Sequence, residues 1–182
     1  MDGSRYAFRP MREEDLALAR RWLLEPHVRR WWNDDPNEHD YPDGTLAEWL
    51  KAIRGEDPTD MFVIELDSRP IGMLQSYRVQ DYPDYVEEVG ELAEIALSLD
   101  LFIADPDLIG KGHGPALIRA FLAEAFDRYG VSYAVIGPSR ANVPAIRAYE
   151  KAGFRFFRDA AVPDEPDPEH LMRIRRADLE RH

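Results

Sequence analysis

Ile109-Gly110-Lys111-Gly112-His113-Gly114 lies between a run of strand character and a run of helix character. Upstream, Leu97, Leu99, Leu101 and Ile103 alternate with Ser98, Asp100 and Phe102, which is the period of a strand. Downstream, Ile118, Phe121, Leu122, Ala125, Phe126 and Tyr129 recur at steps of three and four, the pattern of an amphipathic helix that ends at Gly130. A glycine-rich link between the two lets backbone N–H groups converge at the positive end of the helix, so the turn can cradle a pyrophosphate. A tight turn that binds nothing is the plain alternative. No Ser or Thr follows Lys111, as a P-loop requires, and the glycine spacing is not the dinucleotide fingerprint.

Beyond that helix, Val131 to Ile136 reads as a strand. Asn142, Ala145, Tyr149, Gly153 and Phe154 then follow in the order N-x-x-A-x-x-x-Y-x-x-x-G-F. Asn142 is a good N-cap with Pro144 in the first turn, and Gly153 suits a left-handed C-terminal cap, so a helix is expected from Val143 to about Lys151. Phe154 to Arg158 and Leu171 to Ile174 supply two closing strands around a Pro- and acid-rich loop.

Toward the N-terminus, a strand at Tyr6 to Arg9 precedes a helix that carries Leu16, Ala19, Trp22 and Leu23 and is expected to end at Pro26. The stretch from Trp31 to Gly44 lacks a clean period and reads as a loop or loosely helical lobe. Thr45, as N-cap with Glu48 in a capping box, starts a helix to Ile53. Met61 to Leu66 and Pro70 to Val79 form a hairpin across Asp67, Ser68 and Arg69. Residues 80 to 92 read as an exposed acidic loop.

The chain has 182 residues, enough for one well-cored domain over 1–182. With 23 Lys and Arg against 35 Asp and Glu, the net charge of −12 disfavours nucleic acid and anionic membranes and suits a cationic partner. There is no cysteine, which excludes disulfides, thiolate zinc sites and a cysteine nucleophile. The N-terminus shows no apolar signal core and no apolar run approaches the roughly 20 residues of a membrane helix, so a cytoplasmic protein is expected. The five histidines are scattered, and no metal is expected. Exposed edge strands in the C-terminal half leave monomer and homodimer both open.

The glycine turn and the Asn142 to Phe154 pattern together resemble the GNAT superfamily of acyl-CoA-dependent N-acetyltransferases, and the order of elements agrees over nearly the whole chain. The resemblance implies an α+β fold with a central, mostly antiparallel mixed sheet, splayed at the acetyl-CoA site and flanked by helices. It implies acetyl-CoA as co-substrate, its pyrophosphate on the Ile109-Gly110 turn through Lys111, Gly112, His113 and Gly114, its pantetheine arm on Asn142, and a departing thiolate protonated by Tyr149. Ile109 stands where many members have Gln or Arg.

Trp31-Trp32, Gln75-Ser76-Tyr77 and Leu99-Asp100-Leu101-Phe102-Ile103 look like the aminoglycoside 6'-N-acetyltransferases, a group named for antibiotic resistance. In that group the strand acid, here Asp100, lies near the amine being acetylated; Asp is disfavoured inside strands and its presence there asks for a reason. The group often carries another substrate-binding acid shortly before the motif asparagine, where this chain has Gly137. On this reading Asp100 takes the amine's proton, and backbone N–H groups at Leu101, Phe102 and Ile103 serve the oxyanion. Gln75, Tyr77, Trp31, Trp32, Asp34, Asp35 and the acidic 80 to 92 segment line the acceptor side, since aromatic faces and carboxylates bind cations. Two other readings stay open: acetylation of a polyamine, a siderophore hydroxylysine or a protein N-terminus, and a non-catalytic acyl-CoA-binding module.

Overall fold

The computed structural model describes residues 5–32, 40–160 and 169–179. Asp34 and Asp35 lie outside these residues. Seven strands form one mixed sheet: β1 (Tyr6–Pro10), β2 (Asp60–Leu66), β3 (Arg69–Arg78), β4 (Ala96–Ile103), β5 (Tyr133–Ile136), β6 (Arg155–Ala160) and β7 (Glu169–Arg175), in the order β1-β2-β3-β4-β5-β7-β6. The β4–β5 pair is parallel, and the β1–β2, β2–β3, β5–β7 and β6–β7 pairs are antiparallel. The helices are α1 (Leu16–Leu23), α2 (Pro26–Trp32), α3 (Asp43–Ile53), α4 (Pro83–Val89), α5 (His113–Tyr129), α6 (Val143–Ala152) and α7 (Arg176–Leu179). None of the described helices is long and apolar enough to cross a membrane.

Two compact units divide the chain. The first comprises Met1–Ser76 and Asp100–Ile109, the second Tyr77–Leu99 and Gly110–His182. In the first, the β2–β3 hairpin turns on Asp67 and Ser68, whose φ angles of 50° and 65° make the two-residue turn that matches strand twist. Its core gathers Trp22, Leu23, Val28, Trp49, Val63, Met73 and Phe102.

Two helices of the first unit start elsewhere than the sequence suggests. Pro26 does not merely end α1; it opens α2, because a proline without an N–H is well suited to a helix's first turn. Thr45 is not an N-cap: α3 begins at Asp43 with Pro42 as its cap residue and no side-chain cap, which puts Thr45 inside the first turn.

Gly72 of β3 sits against the β4 backbone, where an added Cβ would overlap the Phe102 carbonyl oxygen and come within 3.1 Å of the Ile103 Cα. Both obstacles are backbone, which cannot swing aside as a side chain can. Gly72→Ala is therefore expected to destabilise the protein by about 3 kcal/mol, read as a lower urea midpoint.

In the second unit, the stretch expected to be an exposed acidic loop is largely helical. Val79–Asp81 and Gly90–Ile95 are 3-10 turns on either side of α4. Asp84 and Glu87 are exposed and Glu88 is half-buried, while Val89 joins Val79, Ala93, Ala96 and Val135 in a buried cluster with Tyr85 and Val86 against it. This apolar contact selects helix where composition suggested coil. The long α5 ends at Gly130 with φ 65°, and α6 ends at Gly153 with φ 112°, both as expected.

Candidate active site

β4 carries the site's acid. Its register with β5 covers Ala96, Leu97 and Ser98, opposite Tyr133, Ala134 and Val135, and β4 itself runs on to Ile103. Ser98 is buried and donates to the Val135 carbonyl at 3.1 Å. Asp100, in contrast, is only half-buried, and Gln75 Nε2 donates to its Oδ2 at 2.9 Å. A carboxylate among buried neighbours needs such a partner, because leaving it unpaired and desolvated is costly. Gln75 was expected on the acceptor side; its observed partner is the acid. Residues 25 apart on two strands give no spacing signal for that pairing.

Beyond Asp100, Phe102 turns into the core of the first unit. Trp22 and Trp32 meet it edge-on at 6.4 and 5.2 Å, and Trp49 stacks on it at 6.4 Å. Trp32 is thus packed against Phe102 and Trp49, while the neighbouring Trp31 carries the Arg30 guanidinium over its ring at 4.9 Å. Tyr77 belongs to the second unit, where Tyr82 and Tyr85 meet its ring at 4.6 and 6.2 Å.

The glycine turn does not follow β4 directly. A 3-10 turn, Pro106–Leu108, intervenes, capped by Asp105, which accepts from the Asp107 N–H. Ile109 is half exposed, and Gly110 and Gly112 adopt φ 73° and 85°, the left-handed region that glycine enters without strain. No atom lies within 4 Å of a Cβ built on either glycine, so the turn faces open space. His113 then starts α5, whose N-terminus has no side-chain cap. An anion fits such an end. Gly114 lets α5 approach α6, with Ala148 Cβ at 3.7 Å from where its own Cβ would stand.

Asn142 caps α6: its Oδ1 accepts from the Ala145 N–H at 3.3 Å. Tyr149 lies one turn beyond Ala145 on that helix, 8% exposed, with its ring tilted against Phe154 at 6.0 Å. Shortly before Asn142, Gly137 has the Glu169 carboxylate over it, and a Cβ there would overlap Glu169 Oε2. Among the described residues no three His, Asp or Glu side chains gather as a metal site would need.

Residues 11–162 match the family model described as the acetyltransferase (GNAT) domain, and the chain belongs to that family. It is 31% identical over 159 residues to aminoglycoside N(6')-acetyltransferase type 1 of Klebsiella pneumoniae, a match spanning 87% of this chain and 78% of that protein. Among solved structures, aminoglycoside acetyltransferase AAC(6')-Ib in complex with coenzyme A superposes with a TM-score of 0.82 at 30% identity, covering 97% of this chain and 98% of that one. The same enzyme with coenzyme A and kanamycin gives 0.83 at 29% identity, over 97% and 98%. The chain is an acetyl-CoA-dependent N-acetyltransferase, with acetyl-CoA as its co-substrate.

Proposed function

We propose that this enzyme acetylates the 6'-amino group of an aminoglycoside. The observation that carries the proposal is the half-exposed Asp100, held by Gln75 on the strand that continues into Leu101, Phe102 and Ile103. One domain over 1–182, cytoplasmic and monomeric or homodimeric, is the form in which it acts, on small cationic amines rather than nucleic acid.

A primary amine with pKa near ~10.4 is free in on the order of one molecule in a thousand at neutral pH. Asp100 binds the ammonium and takes its proton, directly or through water. The freed nitrogen attacks the thioester carbonyl, and the Leu101 and Ile103 N–H groups receive the oxyanion; the Phe102 N–H, also expected to serve it, shares the β3 edge with its own carbonyl, which lies against Gly72. The C–S bond then breaks, Tyr149 O–H protonates the leaving thiolate, and the nitrogen loses its second proton to solvent. Lys111, Gly112, His113 and Gly114 hold the pyrophosphate; Asn142, with its Oδ1 engaged by the helix, presents its amide NH2 to the pantetheine arm.

The resemblance assigns the acceptor to Trp31, Trp32, Asp34, Gln75 and Tyr77, of which Asp34 lies outside the described residues. Glu169 supports a polycationic acceptor, since it brings a carboxylate to the spot beside Gly137 where an acid side chain is missing. Thiol release from acetyl-CoA, measured across kanamycin-type aminoglycosides, polyamines and N-hydroxylysine, tests the reading. Saturable release with 6'-amino sugars is the expected result. Release only with the other amines keeps the chemistry and discards the sugar.

A further inference from the structure

His27, half-buried on α2, places its Nε2 2.9 Å from the carbonyl oxygen of Ile103. A carbonyl only accepts, so the ring nitrogen donates; the neutral ring is then the Nε2–H tautomer, and an imidazolium would make the same bond. The N–H of the same peptide, on Ala104, donates to the Ile71 carbonyl at 2.7 Å. The last peptide of β4 is therefore gripped at both ends, by β3 through its N–H and by α2 through its C=O.

The direction of that grip follows from strand geometry. In extended backbone the C=O of one residue and the N–H of the next point to opposite edges, while the N–H and C=O of one residue share an edge. With Ala104 N–H aimed at β3, the Ile103 C=O faces the other edge. Ile103 N–H and, two residues back, Leu101 N–H share that edge. These are donors assigned above to the oxyanion. Elsewhere on α2, Val28 is fully buried, Trp32 packs against Phe102 and Trp49, and the Arg29 guanidinium lies over the Tyr41 ring. Apolar packing sets how close a helix lies but not how a peptide plane is rotated. A directional hydrogen bond does.

We infer that His27 is a positioning residue for acetyl transfer, fixing through the Ile103 carbonyl the orientation of the Leu101 and Ile103 N–H donors. The inference rests on the acetyl-transfer reading of β4, and two readouts keep the failures of each apart. In H27A, kcat is expected to fall about ten- to a hundredfold with the affinity for CoA unchanged. Hydrogen exchange of the Leu101–Ala104 amides should quicken in the same variant. H27Q, whose amide can still donate to Ile103, is expected to restore most of both. Unchanged exchange in H27A overturns the clamp whatever amine is acetylated, and quickened exchange with unchanged kcat overturns its role in the reaction. Equal loss of thermal stability and activity in H27A and H27Q would reduce His27 to a packing residue and also overturn it.

Discussion

Asp100→Asn is expected to lower kcat by about a hundred- to ten-thousandfold while the affinity for CoA stays the same. The substitution is close to isosteric, and Gln75 Nε2 can donate to the new amide oxygen as it does to Asp100 Oδ2 at 2.9 Å. The Gln75 contact therefore survives the substitution while the proton acceptor is lost. Without it, the enzyme depends on the small fraction of acceptor that is already uncharged, a fraction that rises about tenfold per pH unit below the amine's pKa. The deficit of the variant should accordingly narrow as pH is raised from 7 to 9 (on the order of two decades at most). Thiol release at saturating amine gives kcat, and calorimetric titration with CoA gives the affinity. A variant with full turnover at pH 7 would remove Asp100 from the chemistry.

Gly112→Trp is expected to produce the reverse pattern, a protein that folds and fails to bind CoA. At φ 85° any L side chain is strained, by about 1–2 kcal/mol, which a domain of this size tolerates. The built Cβ meets no atom within 4 Å, so the side chain leaves the backbone without a clash and its indole is expected to extend over the turn. There it covers the N–H groups at the start of α5. Losing two charge-assisted hydrogen bonds at about 1.5–3 kcal/mol each corresponds to at least a hundredfold weaker binding, on the order of 3 kcal/mol or more. Calorimetric titration reads the affinity, and the thermal midpoint reports whether the fold survived. Retained affinity for CoA would move the pyrophosphate away from this turn.

Much of this architecture is legible in the residues themselves, and the reason is backbone geometry. Gly110, Gly112, Gly130 and Gly153 all occupy positive φ, where the identity of the residue reports the conformation directly. Asn142 caps α6, as an asparagine followed by Pro144 suggests. The alternation from Leu97 to Ile103 marks β4 because strand period does not depend on what covers the faces. The failures share another cause. The segment that contains α4 is rich in Asp and Glu and is punctuated by Pro83 and Gly90, and the tertiary burial of Val89 against Val79, Ala93 and Ala96 makes it helical. Thr45 and Glu48 matched a capping box, yet α3 starts earlier, at Asp43.

For the candidate site, the motif residues on single elements stood out, whereas pairings between elements did not. Gln75 with Asp100 and His27 with Ile103 join residues remote in sequence, through one hydrogen bond each. Neither leaves a periodic trace. The same holds for Glu169 above Gly137: a glycine alone says only that a side chain is missing, not what occupies its space.

The first unit is assembled from two stretches separated by residues of the second, and this has a consequence for biosynthesis. Phe102, which Trp22, Trp32 and Trp49 surround, is translated well after those three indoles have been made. Until β4 leaves the ribosome, the nascent N-terminal segment lacks the ring on which its tryptophans converge. Such a chain exposes apolar surface that invites aggregation and chaperone binding. A ribosome-bound chain halted before Asp100 should be protease-sensitive in α1 to α3, and one extended far enough past Ile109 for β4 to clear the exit tunnel should be protected there.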